Sequence, residues 1–154
     1  MIITDTGFLS SFLKINMLPL IFKVCDTKEI VITPAVLHEL EQAPIHQLFL
    51  AALQSKENKI KIVYIRDTLS ENLGKGEKES IALAEKTKAL LLIDDRKALQ
   101  FAKQREITVM SIPTFLIHGK SKKCIDDSQM KKIIIDLEKK DYYTFNEEIK
   151  QYLF

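Results

Sequence analysis

Four short stretches of this chain set an acidic residue where a strand should end or a helix should begin or turn inward. They are Ile2-Ile3-Thr4-Asp5-Thr6, Val36-Leu37-His38-Glu39-Leu40, Gly76-Glu77-Lys78-Glu79-Ser80 and Leu92-Ile93-Asp94-Asp95. Carboxylates scattered this widely that share such positions are how an α/β fold gathers hard oxygen ligands at one end of its sheet, and those donors suit Mg²⁺ or Mn²⁺.

Asp5 follows two isoleucines at the carboxyl end of a buried strand, with Thr6 offering a hydroxyl beside it; capping the next helix is its ordinary alternative. Glu39 lies three positions after Val36 and one before Leu40, at the edge of a buried helix face, whereas Glu41 falls about 200° further round and is the solvated member of the pair. Glu77 and Glu79 open a helix after a glycine, where the positive end of the helix dipole favours a carboxylate. Only one of them is expected to face inward. Glu77, four positions before Ile81 and seven before Ala84, is the stronger ligand candidate, with Glu79 in reserve. Asp94 and Asp95 end the most hydrophobic strand; two adjacent acids there repel and raise a pKa unless a cation is present, and a helix cap accounts for one of them.

The elements that must position these acids alternate between short β-like runs and longer helical ones, the pattern of an α/β fold with a largely parallel sheet. Strands are expected at about Ile2–Thr4, Ile30–Ile32, Ile60–Ile65, Leu90–Ile93 and Thr108–Met110. Helical patterns run over Phe8–Ile15 and Leu18–Val24, broken near Asn16. Thr33-Pro34 combines an N-cap with proline at the first helical position. Pro44 opens a helix with Ile45, Leu48, Phe49, Ala52 and Leu53 on one apolar face. From Thr68 the chain turns polar until Gly74 and Gly76 precede a helix over Glu77–Thr87. Further helices follow Asp95 and run over Pro113–His118. Gly119 to Lys123 reads as a basic connector to Met130–Leu137 and Phe145–Leu153, a helical closing element over about 125–154.

With 154 residues, 46% hydrophobic and 29% charged, the chain fits one domain able to bury a real core, and the whole of 1–154 is read as that domain. A net charge of +2, from 23 basic and 21 acidic residues, is too small to announce a nucleic-acid binder, so local charge must decide. Cys25 and Cys124 lack metal-type spacing and read as incidental thiols of a reducing compartment. No secretory leader is visible at Met1, and apolar runs such as Ala89–Ile93 are far too short to span a bilayer, so a cytoplasmic protein with no membrane partner is expected.

Taken together and in order, these residues resemble the PIN domain nucleases, in the bacterial and archaeal branch with a Gly-Glu helix start and an Ile-Asp-Asp strand end. The resemblance runs from Ile2-Ile3-Thr4-Asp5-Thr6-Gly7 through Val31-Ile32-Thr33-Pro34-Ala35-Val36-Leu37-His38-Glu39-Leu40 and Gly76-Glu77-Lys78-Glu79-Ser80-Ile81-Ala82-Leu83-Ala84 to Leu91-Leu92-Ile93-Asp94-Asp95-Arg96-Lys97-Ala98. It implies a three-layer α/β/α fold with a central, mostly parallel sheet of about five strands. It also implies an acidic cluster of Asp5, Glu39, Glu77 and Asp95, with Asp94 beside it and Thr6 as a polar neighbour. Departures at Leu99-Gln100, where an arginine is common, and Ser111-Ile112-Pro113, where a glycine turn is usual, bear on substrate handling rather than on the acids.

The implied activity is Mg²⁺- or Mn²⁺-dependent hydrolysis of RNA phosphodiesters, with no protein nucleophile. Asp5, Glu77, Asp95 and Asp94 are the expected metal ligands, and Glu39 is expected to act through water or to orient the attacking water. Lys75, Lys78, Arg96 and Lys97 near the acids, and Lys120, Lys122 and Lys123 further on, are candidate phosphate contacts, solubility being their bland alternative. Similar small proteins often serve as the toxin of a toxin–antitoxin pair, which makes an antitoxin protein a second expected partner. Similar domains often dimerise, and the apolar stripe on Ile45–Leu53 or the terminal helices offer a homodimer face.

Other patterns carry less. Asp5-Thr6-Gly7 echoes the aspartic protease signature, but a helical pattern follows and no second copy exists. Gly119-Lys120-Ser121 echoes the end of a phosphate-binding loop, yet the position five residues upstream is Thr114. His38, His46 and His118 form no zinc motif. Tyr142 and Tyr143 are expected as core anchors at the start of a terminal helix, with base stacking as the alternative. The rival function is a PIN-like module that binds RNA or protein without cutting; a third reading, a DNA nuclease, calls for DNA-binding segments not found here.

Overall fold

The computed structural model describes residues 1–66 and 69–154; Thr68, where the sequence turns polar, lies outside the described residues. Five strands form one sheet: β1 (Ile2–Thr4), β2 (Glu29–Ile32), β3 (Lys59–Ile62), β4 (Leu90–Leu92) and β5 (Val109–Met110). Their order is β3-β2-β1-β4-β5 and every pairing is parallel, with Ile3 opposite Val31 on one side and Leu91 on the other. The expected α/β/α architecture is therefore present, and its sheet is wholly parallel. The strand expected to reach Ile65 ends at Ile62: Val63 N–H still donates to Ile32 O at 3.0 Å, after which the chain leaves the sheet.

Helices cover both faces because the strands bury residues on both sides. Ile30, Ile32 and Leu92 face one core, packed by α1 (Thr6–Lys14), α2 (Leu18–Val24), α4 (His46–Leu53), α7 (Ile112–Ser121), α8 (Asp127–Lys140) and α9 (Glu147–Leu153). Ile3, Val31, Leu91 and Ile93 face a second core under α5 (Lys75–Thr87) and α6 (Arg96–Gln104). The alternation Ile30, Val31, Ile32 between the two cores is the period-two signature of a strand. In the larger core Phe8, Phe12 and Phe115 pack with ring centroids 5.2 to 5.4 Å apart.

Helix starts follow local capping chemistry. Thr33 caps α3 (Pro34–Gln42) by accepting from Val36 N–H at 3.4 Å with Pro34 in the first turn, and Asp126 and Gln129 form a capping box on α8. Pro44 stands two positions before α4, and that helix buries only Phe49 among its own residues, while Leu48 and Leu50 are about half exposed; its apolar face is narrower than the expected stripe. The expected basic connector is helical through Ser121, since α7 continues over Gly119 and Lys120. No single described helix is long and apolar enough to cross a membrane; α1 and α2 pass on composition only as a pair bent by 117°, and both bury core residues against the sheet.

Candidate active site

Parallel strands deliver their carboxyl ends to one edge of the sheet, and the four acidic stretches arrive there. Asp5 leaves β1, 3% exposed, and its Oδ1 accepts from Phe8 N–H at 2.8 Å as the cap of α1. Asp95 caps α6, its Oδ1 accepting from Ala98 N–H at 2.9 Å. Glu77, in the first turn of α5, accepts from Gly74 N–H at 3.0 Å. Each of the three thus spends an oxygen on its own helix start, so capping and membership of the cluster coexist.

Glu39 has both oxygens committed. Oε2 accepts from Thr6 Oγ1 at 2.5 Å and Oε1 from Gly76 N–H at 2.9 Å, so it ties the starts of α1 and α5 to α3. A Cβ at position 76 would lie 2.6 Å from that Oε1, and the backbone approaches Glu39 this closely only because the residue is glycine. Thr6 likewise serves Glu39 as a donor rather than standing free for substrate.

The expectation that only one of Glu77 and Glu79 turns inward is corrected. Glu79 is the more buried, at 7% exposure, and its Oε1 accepts from Ala35 N–H at 2.9 Å, satisfying a free donor in the first turn of α3. Glu77 is half-buried and faces the other acids. Both are enclosed because α3 packs on α5.

Asp94 is half-buried, and its Oδ1 accepts from Ile112 N–H at 2.7 Å and from Tyr143 Oη at 3.0 Å. Tyr143 is partly buried against the larger core, its ring centroid 4.6 Å from that of Phe145, as an anchor would be, but it lies in the irregular stretch between α8 and α9 rather than at the start of a helix. Tyr142 beside it is 87% exposed. Next to this pair, Asp141 accepts from Ser11 Oγ at 2.6 Å and from Lys14 Nζ at 2.9 Å. Asp141, Ser11 and the role of Tyr143 were not legible in sequence, because their partners lie far along the chain and no local pattern marks them.

The electrostatics are those of crowded acids. Burial first, then the charges of Glu77, Asp94 and Glu39, push Asp5 from 3.8 up to about 8 against the lowering effect of the Phe8 N–H. Burial also raises Glu77, opposed by the Gly74 N–H and reinforced by the neighbouring Asp95 and by Glu39. Asp94 is raised by burial, opposed by its bonds from Ile112 and Tyr143, and reinforced by Asp141 and Asp95. Burial and the Asp94 charge hold the Tyr143 phenol protonated, as a donor.

The salt bridges between described residues reach none of Asp5, Glu39, Glu77, Asp94 or Asp95. Such an all-oxygen set, in which Asp5, Glu77 and Asp94 are destabilised in their charged forms, fits a hard divalent cation. Among the described residues no three His, Cys, Asp or Glu side chains converge as the ligands of one ion, so the carboxylates stand apart in this arrangement.

The basic residues divide. Lys75 and Arg96 are exposed beside the acids, and Lys78 is half-buried. Lys97 Nζ donates to Asn72 O at 2.8 Å and fastens the segment before α5. The second basic group is partly structural: Lys120 Nζ donates to Leu153 O at 3.3 Å and Phe154 O at 3.0 Å, and Lys122 Nζ to Val24 O at 2.8 Å. His38, His46 and His118 are exposed.

Comparison with known proteins accords with this fold. The family model DUF3368, described as a PIN domain, matches residues 1–153. A comparison with curated proteins finds no match. Among solved structures, a PilT N-terminus domain protein from the hyperthermophilic archaeon Sulfolobus solfataricus superposes with a TM-score of 0.56 at 18% identity, over 75% of this chain and 90% of that one. At that identity the likeness speaks for the fold alone.

Proposed function

The chain belongs to the PIN domain family, a nuclease-type family, and on that premise we propose that it is a Mg²⁺- or Mn²⁺-dependent endoribonuclease. The observation that carries this reading is the buried Asp5, raised to about 8 among Glu77, Asp94 and Glu39 with no salt bridge to offset it among the described residues. A cation would take the place of the proton that Asp5 otherwise holds.

Asp5, Glu77 and Asp95 would hold the ion, since each has one oxygen left from its helix-start bond. Bound there, a hard divalent ion supplies neutralisation of phosphate charge and activation of water. Glu39, with both oxygens in use, positions Thr6 and Gly76 and so fixes α1 and α5 relative to one another. Asp94, held by Ile112 and Tyr143, keeps the end of β4 in place and adds negative charge. Lys75 and Arg96 draw phosphates toward the acids. A role as the toxin of a toxin–antitoxin pair belongs to the same proposal and rests on family resemblance.

The non-catalytic alternative draws on one observation, that no three described ligand side chains converge. One assay decides: a labelled single-stranded RNA pool and its DNA counterpart, incubated with Mn²⁺, Mg²⁺ or EDTA, comparing wild type with Asp5→Asn and Asp95→Asn. Metal-dependent RNA cutting lost in both variants is expected. A folded wild type that binds RNA and cuts under no metal would overturn the nuclease reading in favour of a binding module.

A further inference from the structure

A groove of about 860 Å³ runs along the flank of α5, away from the carboxylates, between that helix, the C-terminal end of α6 and the chain leaving β3. Tyr64 stands at it with 82% of its surface exposed, and among the described residues Arg66, Lys86 and Arg105 bring three cations against the carboxylate of Glu85. Glu85 is itself taken up by Arg105, which bonds it through both Nε and Nη2 and lies over the Phe101 ring, 5.4 Å from its centroid. Arg66 and Lys86 are the remaining positive charges of the groove, and both are exposed.

Its position relates it to the acids. On a helix of 3.6 residues per turn, Lys75, Lys78, Ala82 and Lys86 fall along one stripe, and Lys86 stands about 13 Å along the axis from Glu77. The stripe therefore runs from the turn of α5 that carries Glu77 down to the groove, on the opposite side of the helix from Glu77 itself, which lies about 180° round from Lys86. An exposed aromatic ring beside exposed cations is the combination with which proteins hold single-stranded nucleic acid: the ring stacks on a base and the cations meet phosphates.

We propose that this groove binds the single-stranded RNA flanking the cleavage point, with Tyr64 as the stacking platform and Arg66 and Lys86 as phosphate contacts. The proposal rests on the ribonuclease reading and adds to it a second contact region that sets substrate length. The groove then acts on binding and leaves the chemical step untouched. Long RNAs gain affinity from it, and RNAs too short to leave the acidic cluster do not.

The test uses the full chain and fluorescently labelled single-stranded RNAs of about 5 and about 20 nucleotides, lengths that straddle a typical single-strand site. Kinetics are measured for wild type, Tyr64→Ala, Tyr64→Phe and the Arg66→Gln/Lys86→Gln pair, with thermal melts to verify folding. Tyr64→Ala should raise KM for the long RNA about tenfold, with kcat and the short RNA unchanged, and Tyr64→Phe should restore it. The double variant should lower the slope of log affinity against log salt by about 1.4, measured on the long RNA in an Asp5→Asn background. Equal KM on both lengths and an unchanged slope in all variants would overturn the groove assignment while leaving the nuclease reading standing, and would turn attention to a protein partner. A wild type that neither binds nor cuts RNA would remove both.

Discussion

The Tyr143 hydroxyl donates to Asp94 Oδ1 at 3.0 Å across 49 positions of sequence, and the Ile112 N–H donates to the same oxygen at 2.7 Å. Asp94 is thereby the point at which the segment after α8 is fastened to the end of β4. Tyr143→Phe should keep the fold and lose about 1 kcal/mol in urea unfolding. Cleavage should fall severalfold in kcat with little change in KM, because Asp94 loses its orientation and not its charge. An unchanged kcat would show that this orientation is irrelevant to the reaction.

Asp5 supplies a pH signature. Its folded pKa of about 8 lies above its ordinary 3.8, so between these values the folded chain holds a proton that the unfolded chain has released. Stability from this group is full below about pH 4, declines as pH rises, and is exhausted above about pH 8. Asp5→Asn should remove that decline and make the metal-free protein on the order of 2 kcal/mol more stable near pH 8, while abolishing cleavage. Mn²⁺ should stabilise wild type more than the variant. Parallel urea titrations at pH 5 and pH 8 check both statements; identical pH dependence in the two proteins would refute them.

Two glycines separate site geometry from packing. A Cβ at Gly76 meets Glu39 Oε1 at 2.6 Å, the movable end of a side chain, whereas one at Gly119 meets Ile125 Cδ1 at 2.6 Å and Val24 Cγ2 at 3.1 Å inside the core. Gly76→Ala should cost about 1 kcal/mol and sharply reduce cleavage by displacing Glu39. Gly119→Ala should cost about 1–3 kcal/mol and leave the activity of the folded fraction intact. Melting curves paired with specific activity per folded molecule distinguish the two.

Glu77 and Glu79 should part in the same way. Glu79→Gln keeps an oxygen for the Ala35 N–H and should remain active, while Glu79→Ala leaves that donor unpaired and should lose about 1–3 kcal/mol. Glu77→Gln keeps the fold and should abolish cleavage. Activity surviving in Glu77→Gln but not in Glu79→Gln would reverse the assignment.

Lys120 tests the corrected view of the second basic group. Because its ammonium meets the last carbonyls of the chain, Lys120→Met should free α9 and lower the melting temperature by a few degrees, about 1 kcal/mol. The salt dependence of RNA binding should not change. A reduced salt slope would return Lys120 to the phosphate contacts.

Local signals made much of this fold readable. Apolar runs marked β1, β2 and β4, Thr33-Pro34 marked α3, and Asp5 and Asp95 stood where strand gives way to helix, so the acids could be located to the right sheet edge. What resisted reading depended on partners remote in sequence. Glu79 lies about 200° round the helix from Glu77, yet both are enclosed because α5 meets α3 as well as the sheet. Tyr143 and Lys120 looked like an anchor and a surface charge; their bonding depends on Asp94, Leu153 and Phe154. The shortened β3 reflects where the sheet stops pairing rather than where apolar residues stop.

The strand order has a consequence for the newly made chain. β1 is translated first yet sits in the middle of the sheet, with Ile2 opposite Leu90, so one of its edges stays unpaired until β4 has been synthesised. Parallel pairings over such a span are slow to form, since loop closure precedes any reward. Asp5 and Asp95 cannot meet before that closure, and Asp94 is not fastened until Tyr143 arrives. A growing chain on the ribosome thus carries every acid of the cluster before Tyr143, which fastens one of them, has been made.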